Sequence, residues 1–259
     1  MARLVGRRLR DWVPALVVLV GSIALLEGVI RAFNVQAFLI PRPSAIATTF
    51  WDMRSSLWAA GWFTFQEALG GFVLGSGFAI LVALFFARFR ILGSAFMPYA
   101  IAANAIPIIA FAPITNSWFS PLDKSSKISI VAVLCFFPVM VNTLRGLTSV
   151  NPRALELMES YAAGQVQIFR RVRIPNALPF VFSGLKVAAV LSMIGAVVGE
   201  YFGGALNAIG VLILSRSRVF QFNEAWAGVL VVCLFGLVLY IGVAALERFV
   251  LRWVPSTSE

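Results

Sequence analysis

The stretch AWAGVLVVCLFGLVLYIGVAAL, residues Ala225–Leu246, contains no charged side chain and decides the class of fold. An α-helix needs about 20 apolar residues to cross the hydrocarbon core of a bilayer. The rest of the chain fits the same environment, because 60% of its 259 residues are hydrophobic and only 12% are charged. A soluble domain of this length could not bury that much apolar surface. The sequence therefore predicts an integral membrane protein and excludes a secreted domain, a disordered chain and a nucleic-acid-binding protein.

Further apolar runs predict additional spans on both sides of this stretch. We expect an all-α, polytopic bundle of about six transmembrane helices in a single domain, residues 1–259. The spans are predicted near 12–32, 62–87, 92–113, 127–145, 180–202 and 226–247. Lys186 falls inside the fifth span, where its long side chain can extend toward the interface. A separate charge-free run, Tyr201–Ser215, is predicted to be re-entrant or interfacial.

The distribution of basic residues predicts the orientation of the bundle. With an even number of spans both termini lie on one side, and that side carries the larger share of the 21 Lys and Arg residues. The positive-inside rule then places both termini in the cytoplasm, and it accounts for the net charge of +10 without any nucleic-acid partner. The first span is predicted to be an uncleaved helix, since it is long for a signal peptide and has no evident cleavage site.

Between the first two spans, Ser44–Leu57 has the pattern of an amphipathic helix. Ser44 is predicted to cap its N-terminus after Pro43. One stripe of the helix is apolar, and it consists of Ile46, Phe50, Met53 and Leu57. Trp51 and Trp58 near its ends favour the headgroup zone, so we expect this helix to lie on the outer surface of the membrane.

The segment Asn151–Pro179 predicts a cytoplasmic helix–turn–helix. Asn151 is a suitable N-cap and Pro152 suits the first helical position. Leu155, Met158 and Ala162 then recur on one face, Gly164 is placed to stop the helix, and a second short helix follows. An apolar face outside the membrane must be covered by something. The simpler alternative is an ordinary cytoplasmic loop with positive-inside arginines.

This segment resembles the coupling (EAA) loop of binding-protein-dependent ABC importer permeases. The resemblance lies in VNPRALE (150–156), AAG (162–164), QIFRRVRIP (167–175), LP (178–179) and GL (184–185). It extends over about residues 36–250, with LIPRPSA (39–45) and FFPVMVNT (136–143) similar to the nitrate, sulfonate and taurine branch. Other phrases, including GAVVGEYFG (195–203), look closer to permeases for thiamin-precursor pyrimidines and riboflavin-like heterocycles.

The resemblance implies a type I ABC importer permease (MetI-like) fold in a bacterial plasma (inner) membrane. It also implies partners: a dimer of ABC ATPase subunits, a second permease copy in a homodimer, and a periplasmic or lipid-anchored substrate-binding protein. The loop at about 150–179 would couple the permease to the ATPase. The residues carried over to that role are Glu156, Leu157, Met158, Ala162, Gly164, Ile174 and Pro175.

Two departures from the family pattern fall within this loop. The alanines expected after the glutamate are Leu157 and Met158, and the expected glycine is Ala162. The replacements keep the face apolar, so docking stays plausible, and we expect Gly164 to take the place of the missing glycine.

The chain carries no motif for chemistry of its own. It has no Gly-x-x-x-x-Gly-Lys-Ser/Thr phosphate loop, so ATP and Mg²⁺ are expected to be used by the partner ATPase. It has no His, and its 2 Cys lie in apolar runs, which argues against a metal site and a bound cofactor. We therefore expect a permease and not an enzyme.

Polar residues inside the spans are candidates for the solute pathway, because they are costly in lipid. These candidates are Asn104, Asn142 and Glu200, and for each of them a helix–helix hydrogen bond or an interfacial anchor is the simpler interpretation. The expected solute is a heterocyclic vitamin or precursor, with sulfonate, taurine or nitrate as the alternative. An ion-coupled secondary transporter is the alternative class, although buried carboxylates for a relay look scarce and no internal repeat is evident. An intramembrane enzyme is the third and least supported class, since no cluster of reactive side chains is evident.

Overall fold

The computed structural model describes residues 2–37, 39–103 and 107–252, and within these ranges the chain is helical with no strand. The helices are α1 Ala2–Ala32, α2 Pro43–Asp52, α3 Arg54–Arg88, α4 Arg90–Ala103, α5 Ile108–Trp118, α6 Lys124–Thr148, α7 Pro152–Ser160, α8 Gln165–Ile168, α9 Ile174–Tyr201, α10 Ile209–Arg218 and α11 Phe222–Val250. A π-helical turn, Phe169–Arg173, connects α8 to α9.

The long helices confirm the predicted membrane bundle. Among the described residues, four helical stretches are long and apolar enough to cross a bilayer: Arg54–Arg88, Lys124–Thr148, Gln165–Tyr201 and Phe222–Val250. They coincide with the second, fourth, fifth and sixth predicted spans. The first predicted span, 12–32, lies within the 31-residue helix α1.

The third predicted span differs from expectation, since two helices, α4 and α5, take the place of one helix over 92–113. Pro107 is the N-cap of α5. Proline has no N–H to continue a preceding helical ladder, but it is compatible with a helix start, which explains the boundary at this residue. Pro98 and Pro113 lie inside α4 and α5.

The helix predicted over Ser44–Leu57 is divided between α2 and α3. Met53 separates the two at φ −97° and ψ 9°, outside the helical region. The prediction that Ser44 caps the helix is wrong, because the N-cap is Arg42. Ser44 instead donates from its N–H (3.0 Å) and its hydroxyl (2.6 Å) to the carboxylate of Glu27, which ties the start of α2 to α1.

The apolar stripe of this segment packs inward. Ile46, Phe50 and Met53 contact the buried core, and Leu57 is fully buried. Trp51 and Trp58 stay largely exposed, as their predicted place in the headgroup zone requires.

Three long helices form the centre of the bundle. The helices α3 and α6 run parallel, as the pairing of Phe78 with Phe136 (ring centroids 5.6 Å apart) and the contact of Gly70 with Ile128 indicate. The helix α9 runs antiparallel to α6, since Gly184 lies against Val139 whereas Gly199 lies against Lys127.

Small residues let these helices approach closely, as the glycines of the second span suggested. A Cβ added to Gly75 would overlap the carbonyl oxygen of Ala132, and one added to Gly71 would lie 2.7 Å from the carbonyl oxygen of Ile128. Helices in lipid associate chiefly through van der Waals packing, which close backbone approach makes possible. The α3–α6 contact therefore depends on glycine at these positions.

An ion pair joins α9 to α11 within the bundle. Lys186 Nζ lies 2.9 Å from Glu247 Oε2, and both side chains are largely buried. The sequence predicts that Lys186 extends toward the membrane interface. In the structure it instead pairs with a specific residue of the neighbouring helix α11.

We expect Gly75→Ala to destabilise the protein, because the added methyl group meets backbone that cannot move aside. Overpacking of this kind costs about 1–3 kcal/mol. Gly77→Ala is the matched control on the same helix, since a Cβ there meets nothing within 4 Å. Thermal unfolding in detergent should show a lower Tm for Gly75→Ala alone. Equal Tm values for the two variants would contradict the proposed close packing.

Candidate functional site

The helix α7 begins as its sequence predicts. Asn151 is the N-cap, and its side-chain oxygen accepts a hydrogen bond from the Arg153 N–H (3.0 Å). Pro152 occupies the first turn, where the absence of an N–H costs nothing. The predicted start of this helix is therefore confirmed.

The helix α7 is not packed into the bundle, and none of its residues is buried. Glu156 is exposed, Met158 is half-buried and Leu157 is 56% exposed. Two further apolar side chains that the sequence analysis did not single out, Tyr161 (75%) and Val166 (71%), are also exposed. They continue the apolar surface past the end of the helix. We call Leu157, Met158, Tyr161 and Val166 the α7 patch.

The turn after α7 does not follow the prediction that Gly164 stops the helix. The helix ends at Ser160, and Ala162 takes the left-handed conformation with φ +52°. The Ala163 N–H then donates to the carbonyl of Met158 (3.0 Å). Gly164, at φ −67°, is instead the N-cap of α8, and its N–H donates to Gln167 Oε1 (3.2 Å).

The left-handed conformation of Ala162 explains why the family pattern has glycine at this position. A left-handed conformation right after a helix suits glycine, because an L-residue with a Cβ is strained there.

The second half of the segment continues directly into α9. The predicted separate short helix is wrong, since α8, the π-helical turn and α9 form one stretch of 37 residues, Gln165–Tyr201. Ile174 and Pro175 are half-buried at the start of α9. Pro175 lacks an N–H, and the wider π-helical turn lies directly before it, where the helical ladder is interrupted.

The three candidate pathway residues lie in different surroundings. Asn104 lies outside the described residues. Asn142 is half-buried, and its side-chain amide donates to the carbonyl of Pro138 one turn earlier (2.7 Å). Glu200 is 1% exposed, at the end of α9 opposite to α7.

The Glu200 carboxylate joins three helices. Its Oε1 accepts from the Thr64 hydroxyl of α3 (2.6 Å), and its Oε2 accepts from the Gly210 N–H of α10 (2.6 Å). The Ile209 N–H donates in turn to the Thr64 hydroxyl (3.1 Å). We call Glu200, Thr64 and these two N–H groups the Glu200 clasp.

Two buried charged residues beside the clasp were missed from sequence. Glu67 of α3 is 2% exposed and lies within hydrogen-bonding reach of Glu200, while Lys127 of α6 is 1% exposed and lies near both carboxyls. The Lys127 ammonium donates to the carbonyl of Pro121. The expectation of scarce buried carboxylates is therefore wrong. For Glu67 the available signal was a single charge within the apolar run 58–87, whereas Lys127 gave no such signal because it follows Asp123, Lys124 and two serines.

An apolar cavity, open on one side, lies between α3, α4, α5 and α6. Its volume is about 420 Å³, and its lining includes Leu74, Phe78, Phe111, Phe136 and Phe137. Among the described residues, none that lines it is charged. Elsewhere in the described ranges, no group of three or more Cys, Asp or Glu is placed to hold a metal ion.

Comparisons with known proteins agree with the resemblance found in the sequence. Residues 75–253 match the family described as binding-protein-dependent transport system inner membrane component. A riboflavin transport system permease protein of Chloroflexus aurantiacus is 32% identical over 85% of this chain and 82% of its own length.

Two further relatives carry other substrate names. A formylaminopyrimidine transport permease protein of Halalkalibacterium halodurans is 33% identical over 84% of this chain and 87% of its own length. A putative aliphatic sulfonates transport permease protein of Bacillus subtilis is 26% identical over 96% of this chain and 90% of its own length.

We expect Ala162→Gly to stabilise the turn after α7, because glycine adopts φ +52° without strain. The gain should be about 0.5–1 kcal/mol. Amide hydrogen exchange of a peptide covering 158–168 should slow accordingly. Ala163→Gly is the control, since no left-handed strain is relieved there, and its exchange should accelerate. If both variants accelerate exchange, the assigned conformation of Ala162 is wrong.

Proposed function

Because the chain belongs to the binding-protein-dependent transport system inner membrane components, a family of ABC importer permeases, we propose that it is driven from the cytoplasm by a separate ATPase that binds the α7 patch. The chain is a multi-pass membrane protein. It supplies the passage through the bilayer, and it carries out no enzymatic reaction itself.

The single observation that carries this proposal is the lack of cover over the α7 patch. Leu157 and Tyr161 are more than half exposed on a helix that has no buried residue. Glu156 and Arg153 flank them with charge. A short amphipathic helix with apolar anchors and charged margins is the form that enters a groove on a partner protein.

The ATPase is expected to be a dimer, and two copies of this chain would stand on it, one α7 in each groove. ATP and Mg²⁺ belong to the ATPase, since this chain has no phosphate loop and we expect it to bind no cofactor. The positive-inside rule places α7 and both termini in the cytoplasm. The opposite end, with α10, then faces the exterior, where a periplasmic or lipid-anchored binding protein would deliver the solute.

The continuity of α8 and α9 supports rigid-body coupling. The stretch Gln165–Tyr201 has 37 residues, which corresponds to about 55 Å of helix. A displacement of the docked loop is therefore transmitted along one helix through the bundle. Closure of the nucleotide-bound ATPase dimer would move the two loops together and rock the spans between inward-open and outward-open states.

The proposed solute is a heterocyclic vitamin or a precursor of one. Two relatives above 30% identity are named for riboflavin and formylaminopyrimidine, whereas the relative named for aliphatic sulfonates is 26% identical. The apolar cavity gives independent support, because Phe78, Phe111 and Phe136 offer faces to a planar ring. The described residues of the lining carry no positive charge of the kind that would pair with a sulfonate or nitrate.

We expect Leu157→Asp to weaken binding of the ATPase by about tenfold or more, because a charge replaces an apolar anchor at the centre of the contact. Copurification of the ATPase with the tagged permease measures the loss. Leu206→Asp is the matched control, since Leu206 is 93% exposed in the turn between α9 and α10, at the far end of the bundle. Equal retention of the ATPase by both variants would rule out docking at α7.

Uptake by reconstituted vesicles tests the solute and the energy source together. With the cognate ATPase and binding protein, we expect ATP-dependent uptake of labelled formylaminopyrimidine or riboflavin, and none of labelled taurine. Taurine uptake alone would favour the sulfonate alternative. Uptake that persists without the ATPase and collapses with the ion gradient would instead support a secondary transporter.

A further inference from the structure

The helix α10 has no capping group of its own. Its N-cap is Ala208, whose methyl side chain can accept no hydrogen bond. The first N–H groups of a helix have no partner within the helix, and an N-cap side chain commonly satisfies them. Here the Glu200 clasp does so, from α9 and α3.

Glycines next to Glu200 leave the space that its side chain occupies. A Cβ on Gly210 would lie 2.5 Å from Glu200 Oε2, and one on Gly204 would lie 3.1 Å from Glu200 Cβ. The turn between the helices passes through Gly203 at φ +143°, a conformation open only to glycine. Close packing and buried hydrogen bonds together fix the start of α10 against the end of α9.

The Glu200 clasp lies at the end of α9 that is farthest from α7, so one continuous helical stretch connects the two. The helix that carries Glu200 at one end continues through α8 to the α7 segment at the other. Beyond the clasp, α10 leads to exposed Ser215 and to the turn at Phe220, which is 73% exposed. These residues form the surface at the end of the bundle opposite to α7.

We propose that Glu200 is a positioning residue of the transport cycle, which fixes α10 to the end of α9 so that a displacement of α7 reaches the opposite surface of the bundle. This inference rests on the proposed function. The carboxylate acts as a hydrogen-bond acceptor that joins helices. It neither binds the solute nor relays a proton.

The experiment measures how accessible the surface at α10 is to a labelling reagent, and it does not require the solute. Cys233→Ser removes the exposed cysteine, Cys135 is buried, and Ser215→Cys introduces a single accessible thiol. The permease is assembled with its ATPase in vesicles. The labelling rate with a membrane-impermeant maleimide is measured with and without ATP and vanadate. Wild-type Glu200 should give an ATP-dependent change in that rate.

Two substitutions separate a hydrogen-bonding role from a charged role. Glu200→Gln keeps an acceptor oxygen for the Gly210 N–H, so it should retain most of the ATP-dependent change. Glu200→Ala removes the acceptor, and the change should fall roughly fivefold or more. Loss of the change in both variants would overturn the proposal in favour of a charged or titrating role.

A double variant separates coupling from helix capping. In Glu200→Ala with Ala208→Asp, the new aspartate can cap α10 in the space that the Glu200 side chain leaves. Amide exchange at 209–213 should return to the wild-type rate, while the labelling change stays lost. Recovery of both would show that Glu200 is only a cap and would overturn the proposal.

The matched control is Glu224→Gln, which breaks the ion pair of Glu224 with Arg216 (3.1 Å) at the same end of the bundle. It should leave the ATP-dependent change intact. Failure of the proposed function is distinguishable, because wild-type permease would then not assemble with the ATPase. If it does assemble and Glu200→Ala responds to ATP as wild type does, the clasp has no role in coupling.

Discussion

The interior of a bilayer offers no water to a polar group, so each polar side chain in the spans must find its partner within the protein. The structure meets this constraint at several positions by bonding helices to one another, whereas Glu67 Oε2, Ser76 Oγ and Thr143 Oγ1 have no hydrogen-bond partner among the described residues. Glu200 receives hydrogen bonds from α3 and α10, and Lys186 pairs with Glu247 of α11. The arrangement of the helices depends on these contacts as much as on apolar packing.

The same bundle needs apolar surfaces that fit closely. Lipid tails are as apolar as leucine side chains, so burial alone does not hold two helices together. Gly75 lets α3 approach the backbone of α6, and Gly184 lets α9 approach it near Val139. Polar contacts therefore fix which helices are neighbours, and small residues fix how near they come.

The α7 patch lies outside the polar contacts and the close packing that hold the bundle together, and for that reason it is the candidate functional surface. Its side chains Leu157, Tyr161 and Val166 are more than half exposed, although they lie next to a helix that enters the bundle. An uncovered apolar ridge in water is unfavourable unless a partner covers it. The continuous stretch Gln165–Tyr201 connects this proposed docking surface at one end of the bundle to the Glu200 clasp at the other.

Local patterns in the sequence were sufficient for the class of fold, the long spans and the start of α7, because hydropathy and capping act over a few neighbouring residues. The family resemblance adds the prediction that the segment at about 150–179 couples the chain to an ATPase. Local pattern failed where the partner is distant in sequence. Ser44 looks like a cap but bonds Glu27, and Lys127 looks like a loop residue but is buried beside Glu67 and Glu200. The clasp that joins Glu200 to Thr64 and to the Gly210 N–H forms only when helices remote in the chain are brought together, so tertiary structure alone decided it.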